Sequence, residues 1–329
     1  MDYMFDLIIS QFQLVLTFMI ILAVIWLLKR KGIFDESHQP VFDRLVTELA
    51  LPAIIFSGLV SADLNTEWLV PSLIMFATIV LCGLVAYGFC RYFRLSPGKT
   101  GTIVIVAAFG STATFASPLI EILYGAESQA VDVGLLIGNF GVAVPFFTLG
   151  VLLAFYFGAK EHEKDTRFFP VLKEFIATPI FIAFILGFIA SIISSNYQIP
   201  GSDVLSDIFS TFFSQIHNSV ELLVWIAIGL LLRPFDLKKL FPYLALIVII
   251  QMMLQPAIAV IFAYLFGQSM VVQEVLFLTA AMPSGAIAAV LADRYGCDGQ
   301  LAASLVICTY IISLVSLPFM VILMNAILQ

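Results

Sequence analysis

All 15 lysines and arginines of the chain lie between long apolar stretches or at their ends. Along the chain, connections that contain these basic residues alternate with connections that contain none. Positive residues are retained on the cytoplasmic side of membrane proteins. The alternation therefore predicts a chain that crosses a membrane many times, with every second connection in the cytoplasm.

The composition agrees with a chain that spans a membrane. Of its residues 61% are hydrophobic and 11% are charged, whereas soluble domains carry about 25% charged residues. A bilayer offers no water to the backbone, so each spanning segment must be a helix or part of a closed barrel. Barrel strands alternate over about 10 residues, but the stretches here are continuously apolar and about 20 residues long, as spanning helices are. The prediction is an all-α polytopic membrane protein.

The apolar stretches predict ten transmembrane helices. The positions of the basic residues place both termini outside the cytoplasm and the loop 159–170 inside it. The expected location is the cell membrane (inner or plasma membrane), with the chain as a multi-pass protein. The predicted spans are 7–28, 41–61, 68–90, 101–124, 131–158, 171–194, 207–232, 241–266, 272–293 and 299–327.

The cytoplasmic loop 159–170 divides the chain into two halves of five spans, 1–158 and 171–329. Because five is odd, the two halves face opposite ways across the membrane. Inverted repeats of this kind are common in secondary transporters. Prolines at similar places in the two halves, separated by 171, 165 and 173 residues, support the repeat: Pro71 and Pro242, Pro118 and Pro283, Pro145 and Pro318.

Two corresponding spans contain a proline beside small and hydroxyl residues. Span four includes FGSTATFASPL at 109–119, and span nine includes AAMPSGAIAAVLADRYG at 280–296. A spanning helix tolerates such residues where neighbours or water satisfy the freed backbone groups, so we predict that both helices are broken. Broken helices at matching places in two halves are the best sequence indication of a transporter's binding site. The alternative, that the small residues only allow close helix packing, stays open.

These segments also resemble a known family. The stretch LALPAIIFSGL at 49–59, the span-four break, and the segment 280–318, which ends in LAASLVICTYIISLVSLP, look like the auxin efflux carrier family. Bacterial members of that family are often described as malonate or other carboxylate permeases. The resemblance implies ten helices in two inverted repeats, with spans four and nine unwound and crossing. It also implies a transport domain that moves against a scaffold of spans one, two, six and seven.

Departures from that family change which side chains could contact a substrate. Its members commonly have Asn where Ser111 stands, Gly where Ala113 stands, and Asn near Ile287. Hydroxyl groups and helix N-termini, which carry a partial positive charge, then become the expected binding groups for an anion. The predicted substrate-binding residues are Ser111, Thr112, Thr114, Ser117, Pro118, Asn139, Pro283, Ser284, Gly285 and Thr309.

Glu221 is the most unusual residue of the predicted interior. It lies near the middle of span seven, with His217 four residues earlier on the same helical face. A charged group at the centre of a spanning helix costs about 2.5–3.5 kcal/mol on insertion scales and is by default functional. We predict proton coupling by Glu221 with His217 as its partner; a protonated Glu221 in a static scaffold is the alternative. Gln251 and Gln255 share a face of span eight and are expected to form hydrogen bonds between helices.

Together these features predict a secondary active transporter that moves a small organic anion, auxin- or malonate-like, by alternating access, with H⁺ or Na⁺ as coupling ion. The alternatives are a sodium-coupled symporter of the bile acid type and a non-transporting sensor on a carrier fold. An enzyme is not expected, because the sequence has no HExxH zinc motif and no nucleotide-binding loop. The expected partners are the substrate, the coupling ion and the lipid bilayer. A homodimer stays open, and no cofactor, metal or nucleic acid is expected.

Overall fold

The computed structural model describes residues 2–60, 69–164, 166, 168–196 and 202–328. Regular structure within these residues is helical, apart from one isolated β-bridge. The α-helices are α1 Asp2–Arg30, α2 Gln39–Arg44, α3 Leu51–Val60, α4 Leu69–Tyr92, α5 Pro97–Ala108, α6 Ser117–Tyr124, α7 Gln129–Leu136, α8 Val151–Glu161, α9 Phe168–Ile176, α10 Pro179–Asn196, α11 Ser202–Leu231, α12 Leu237–Ile249, α13 Gln255–Leu265, α14 Met270–Ala280, α15 Ile287–Arg294 and α16 Gly299–Leu328.

Six helical stretches in the described part of the chain are long and apolar enough to cross a membrane. A seventh crossing is formed if α9 and α10, which are bent by 65° at the break before Pro179, are counted as one span. Proline starts the new helix there because its missing N–H is not needed at a first helical position. The six are Leu7–Arg30, Leu69–Tyr92, Gln129–Glu161, Thr211–Leu231, Leu237–Leu265 and Gly299–Leu328.

The other three predicted spans consist of shorter helices. Span four is α5 followed by α6, span nine is α14 followed by α15, and span two is α2 joined to α3 by a π-helical turn. The predicted end of span two and its connection to span three, 61–68, lie outside the described residues. The polytopic, all-helical prediction is confirmed, whereas the count of ten spans in two inverted repeats stays a prediction.

Wide π-helical turns precede the prolines of several spans. Five such segments occur among the described residues, and four of them end two residues before a proline. Proline lacks an N–H, and its ring crowds the carbonyl group four residues earlier; a wider turn removes that crowding. The four segments are Leu45–Ala50 before Pro52, Thr112–Ala116 before Pro118, Ile137–Ala143 before Pro145, and Ile250–Leu254 before Pro256.

The helices pack as two groups, which we call the first and the second group. In the first group, α1 packs against α11, and α3 packs against α10 and α11. In the second group, α4, α5, α8, α13, α14 and α16 form a connected set. The groups meet where α1 and α11 contact α16 and where α2 and α11 contact α15. The first group thus holds spans one, two, six and seven, the set that the family resemblance assigns to a scaffold.

Four aromatic side chains join the two groups beside the span-four break. Phe18 of α1 stacks on Trp225 of α11 at a ring distance of 4.3 Å. Tyr310 of α16 contacts Trp225 at 5.2 Å and Phe115 edge-on at 4.7 Å. Such pairs contribute about 0.5–1.5 kcal/mol each beyond the area that they bury. The cluster therefore sets how span four sits against spans one, seven and ten.

Candidate functional site

Both predicted helix breaks are present. Helix α5 ends at Ala108 and helical structure resumes at Thr112, while α14 ends at Ala280 and α15 begins at Ile287. Each interruption leaves carbonyl groups at the end of one helix and N–H groups at the start of the next without partners inside a helix. We define the candidate site by where these backbone groups lie and by the groups that form hydrogen bonds with them.

A pair of backbone hydrogen bonds joins the two interruptions. The amide of Ser111 donates to the carbonyl oxygen of Pro283 at 2.8 Å, and the amide of Gly285 donates to the carbonyl oxygen of Phe109 at 2.9 Å. The pair forms an isolated antiparallel β-bridge. The interruptions of spans four and nine therefore lie side by side. Each provides hydrogen-bond partners for backbone groups of the other, which is necessary where the bilayer offers no water.

Gln251, in the π-helical turn of span eight, bonds to both interruptions. Its Nε2 donates to the carbonyl oxygen of Val106 at 2.8 Å, and its Oε1 accepts a hydrogen bond from Ser284 Oγ at 3.0 Å. Gln255 donates to the carbonyl oxygen of Ala108 at 3.2 Å. Both glutamines are buried. The expected hydrogen bonds between helices are confirmed, and their partners include the last carbonyl groups of the broken helix α5.

Tyr310 supplies a hydroxyl group that the sequence patterns did not indicate. Its side chain is fully buried, and its hydroxyl donates to Ser111 Oγ at 3.2 Å. Tyrosines of membrane proteins are enriched at the water interface. A tyrosine in the middle of an apolar span was therefore the signal that could have identified it.

Glu221 reaches the span-four break from the first group. Thr114 Oγ1 donates to Glu221 Oε1 at 2.6 Å. Glu221 and Ala113 are exposed, and Thr112 is half-buried. These four residues form what we call the open side of the break. His217 is also exposed, and among the described residues it forms no hydrogen bond or ion pair with Glu221, so the observed partner of Glu221 is Thr114.

The remaining predicted residues differ in how they relate to the break. Ser117 and Pro118 begin α6 and are half-buried, and Asn139 is exposed in a π-helical turn. That turn lies beside the break, because a Cβ atom on Gly138 would stand 3.6 Å from Thr112 Cβ.

Thr309 is placed differently from the other candidates. It is fully buried, and its hydroxyl donates to the carbonyl oxygen of Val306 in its own helix at 2.8 Å. That bond occupies the only proton the hydroxyl can donate, which leaves Thr309 a weaker candidate for contact with a substrate.

A charged cavity lies at the end of the bundle that holds the basic residues, which we call the basic end. Its volume is about 540 Å³. Burial raises the pKa of the Cys297 thiol to about 12, so this side chain lines the cavity as a neutral group. The ionisable lining residues are Glu36, Lys99, Glu161, His162, Arg233, Asp293, Cys297 and Asp298.

Long apolar helices around two interrupted helices that meet each other are typical of secondary membrane transporters. A family model described as membrane transport protein (Mem_trans) matches residues 9–321. The chain belongs to this family, which is the auxin efflux carrier family that the sequence resembles. The protein is therefore a multi-pass membrane transporter, and its family is one of transporters rather than enzymes.

Two relatives match nearly the whole chain. An "Uncharacterized transporter" of Methanothermobacter thermautotrophicus is 27% identical over 308 residues, which cover 93% of this chain and 96% of that protein. The "Uncharacterized transporter MJ1031" of Methanocaldococcus jannaschii is 25% identical over 306 residues, which cover 92% and 95%. Both names agree with transport, and neither names a substrate.

Proposed function

We propose that the protein carries a small organic anion, a carboxylate of the auxin or malonate type, across the cell membrane by alternating access coupled to protons. The observation that carries this proposal is the hydrogen bond between Thr114 Oγ1 and Glu221 Oε1. It brings a titratable carboxyl group of the first group to the interrupted helix of the second. Binding of the anion at the break and protonation of Glu221 would therefore both affect the contact between Thr114 Oγ1 and Glu221 Oε1.

The open side of the break suits an anion. The second half of span four starts at Thr112, where the first N–H groups have no partner inside the helix and the helix dipole is positive. The hydroxyl groups of Thr112 and Ser117 add donors within the same turn or two, and the hydroxyl of Thr114 becomes a donor to the anion when its bond to Glu221 breaks. All lysines and arginines lie at the ends of the spans or in the connections between them, so recognition would depend on these neutral donors.

A charged Glu221 would oppose a bound carboxylate, and a protonated one would not. Two negative charges about 4 Å apart repel by roughly 4 kcal/mol at an effective dielectric constant of about 20. This energy is equivalent to nearly three orders of magnitude in affinity. Proton binding and anion binding therefore favour each other, and the coupling is reciprocal. His217, one helical turn away and exposed, is proposed to pass the proton between Glu221 and water.

Alternating access would use the boundary between the two helix groups. The break and its donors belong to the second group, and Glu221 belongs to the first, so a movement of one against the other makes or breaks the Thr114–Glu221 bond. We propose ten spans in two inverted repeats, 1–158 and 171–329, with both termini outside the cytoplasm. The other predicted contacts, Ser111, Pro118, Asn139, Pro283, Ser284, Gly285 and Thr309, are proposed to shape the site.

The test is uptake of labelled dicarboxylates and of indole or aryl carboxylates into proteoliposomes with an imposed pH or Na⁺ gradient. We expect a pH gradient to drive accumulation. Glu221→Gln should abolish that accumulation and spare counterflow, because the amide cannot exchange a proton. Glu163→Gln, on the exposed connecting loop, is the matched control. Uptake that ignores both gradients, or accumulation that survives in Glu221→Gln, would contradict proton coupling.

Sodium coupling is the second candidate, and one observation favours it. Gln255 Oε1 is buried and makes no hydrogen bond with any described residue, although its amide nitrogen bonds to the carbonyl oxygen of Ala108 at the break. Oxygen atoms of this kind, together with carbonyl groups at unwound helix ends, coordinate Na⁺ in transporters. Accumulation driven by a Na⁺ gradient, unchanged in Glu221→Gln and lost in Gln255→Met, would favour this candidate.

A further inference from the structure

An apolar groove with a volume of about 290 Å³ lies on the second group, over helix α5. Helices α4 and α8 each pack along α5, so α5 forms the floor of the groove and the other two form its walls. Gly83 of α4 has no side chain, and a Cβ atom there would stand 3.7 Å from Ala108 Cβ and 3.8 Å from Val104 Cγ1, both in α5. The missing side chain leaves room above the floor.

The groove extends from the basic end to the break of span four. Tyr87 and Tyr156 line it near the ends of α4 and α8, and Ala108 and Phe109 line it where α5 stops. Apart from the two tyrosine hydroxyls, the lining side chains are apolar. Apolar cavities stay dry and take up apolar molecules, and tyrosines are enriched where the bilayer meets water. The groove therefore suits a hydrocarbon chain that enters from the basic end.

Two cations stand at that entrance. Arg91 follows Tyr87 by four residues in α4, and Lys160 follows Tyr156 by four residues in α8. Each cation thus lies one helical turn beyond a lining tyrosine and on the same face, and both are exposed. Lys160 Nζ lies 6.0 Å from the centre of the Tyr156 ring. Because the tyrosines line the groove, the cations are placed at its basic-end mouth.

Neither cation is neutralised by an acid. Among the described residues, Arg91 and Lys160 form no ion pair. Glu161, next to Lys160, instead accepts a hydrogen bond from the amide of Gly98 at 2.6 Å, at the start of α5. The mouth of the groove therefore keeps a net positive charge.

Other cations at the basic end are arranged differently. Arg233 donates to Glu36 at 2.7 Å, and Arg294 donates to Glu48 at 2.6 Å. These two guanidinium groups are held by acids of the protein, whereas the cations at the groove are left for an anion from outside it. Basic pockets between spanning helices on the cytoplasmic side bind anionic lipid headgroups.

We propose that this groove binds an anionic phospholipid, with one acyl chain between α4 and α8 and the phosphate group against Arg91 and Lys160. The chain would reach Phe109, whose carbonyl oxygen accepts the hydrogen bond from Gly285 that joins the two breaks. Bound lipid would therefore stabilise the crossing of spans four and nine. This inference goes beyond the proposed function, because neither the transported substrate nor Glu221 takes part.

Native mass spectrometry of the detergent-purified protein, titrated with phosphatidylglycerol or phosphatidylcholine, tests the headgroup contact. We expect phosphatidylglycerol to bind more tightly. Arg91→Gln and Lys160→Gln should each weaken its binding about fivefold, and together about thirtyfold, from the usual attraction of one basic residue to anionic lipid. Binding of phosphatidylcholine should not change.

The matched control for this charge change is the double variant Lys238→Gln with Lys239→Gln, at two exposed lysines in the first turn of α12. It removes the same charge from the basic end, away from the groove, and should bind phosphatidylglycerol like the wild type. Equal losses in the two double variants, or equal affinity of the wild type for the two lipids, would contradict a specific headgroup site.

Filling the groove tests the acyl-chain contact. Gly83→Leu places a side chain over α5 and keeps both cations. Affinity for phosphatidylglycerol should fall more than about tenfold, because several CH₂ groups of the lipid lose their burial. Gly88→Leu is the matched control, since Gly88 lies in the same helix and a Cβ atom there meets no atom within 4 Å.

Melting temperatures without lipid check that both glycine variants are folded. Added phosphatidylglycerol should raise the melting temperature of the wild type and of Gly88→Leu, and it should do so much less in Gly83→Leu. Undiminished lipid affinity in folded Gly83→Leu would overturn the proposal. These assays contain no transported substrate, so their failure is separate from failure of the transport proposal.

Discussion

The break of span nine is mostly buried, whereas the segment that follows the break of span four includes an exposed residue. Ala281, Met282 and Ser284 have no exposed surface, and Gly285 and Ala286 are half-buried. In span four, Ala113 is exposed and Thr112 and Thr114 are half-buried. Two segments with matching prolines and small residues thus have different surroundings.

The polar side chains of the two interruptions are used differently as well. In span nine the hydroxyl of Ser284 bonds to Gln251, inside the second group. In span four the hydroxyl of Thr114 bonds to Glu221, across the boundary between the groups. We infer that span nine anchors the crossing and that span four provides the surface for recognition. Matching breaks in a repeat therefore do not imply matching roles.

The largest expected effect concerns the anchored side. Gln251→Met leaves the carbonyl group of Val106 and the hydroxyl of Ser284 without their partner, and each buried group left unpaired costs about 1–3 kcal/mol. We expect a clear loss of the free energy of unfolding, measured by denaturant or heat in detergent.

Gln255→Met is the control for that comparison. It removes one longer bond, at 3.2 Å, and also removes an oxygen that has no hydrogen-bond partner among the described residues. Its destabilisation should be smaller than that of Gln251→Met. Equal losses would show that the bond between Gln251 and Ser284 does not anchor span nine.

The next effect concerns the open side. Thr114→Val removes the donor to Glu221, and a typical hydrogen bond contributes about 0.5–1.5 kcal/mol. We expect accumulation driven by a pH gradient to fall roughly tenfold, since about 1.4 kcal/mol corresponds to that factor, while the amount of folded protein stays near that of the wild type.

Thr78→Val is the matched control, because Thr78 is buried and, among the described residues, its hydroxyl bonds only to the carbonyl oxygen of Ile74 in its own helix. It should transport at close to the wild-type rate. If Thr114→Val also transports at close to the wild-type rate, the open side is not where transport is coupled to protons.

The smallest effect concerns the bond that joins span ten to the span-four break. Tyr310→Phe removes the hydroxyl that donates to Ser111 Oγ and keeps the aromatic cluster. Hydrogen bonds between membrane helices average about 0.6 kcal/mol, so we expect a destabilisation of that order in thermal unfolding. Tyr264→Phe, at a side chain that is 74% exposed, should leave the melting temperature unchanged. A loss of several kcal/mol in Tyr310→Phe would mean that the hydroxyl holds the break together.

The sequence was sufficient to predict the helical class and the positions of both breaks. The length of an apolar stretch and the position of its small residues and proline are properties of one segment, so they can be recognised locally. Gly110 and Ser111 lie in the interruption of span four and Pro283 lies in that of span nine, whereas Pro118 lies at the start of α6, beyond the interruption. Partners of side chains could not be predicted in the same way. Spacing pointed from Glu221 to His217, on the same helix, but the bonded partner is Thr114, 107 positions away.

By itself, the sequence determined that this chain is a polytopic helical membrane protein of a transporter family, with no basic residue in the middle of an apolar stretch. Bilayer thickness and the cost of burying charge impose those features on any chain that spans a membrane. Only the tertiary structure decided that the span-nine break is mostly buried while Ala113, just after the span-four break, is exposed, and that Thr114 bonds to Glu221. The rotation and register of each helix set these contacts, and they depend on how all the helices pack at once.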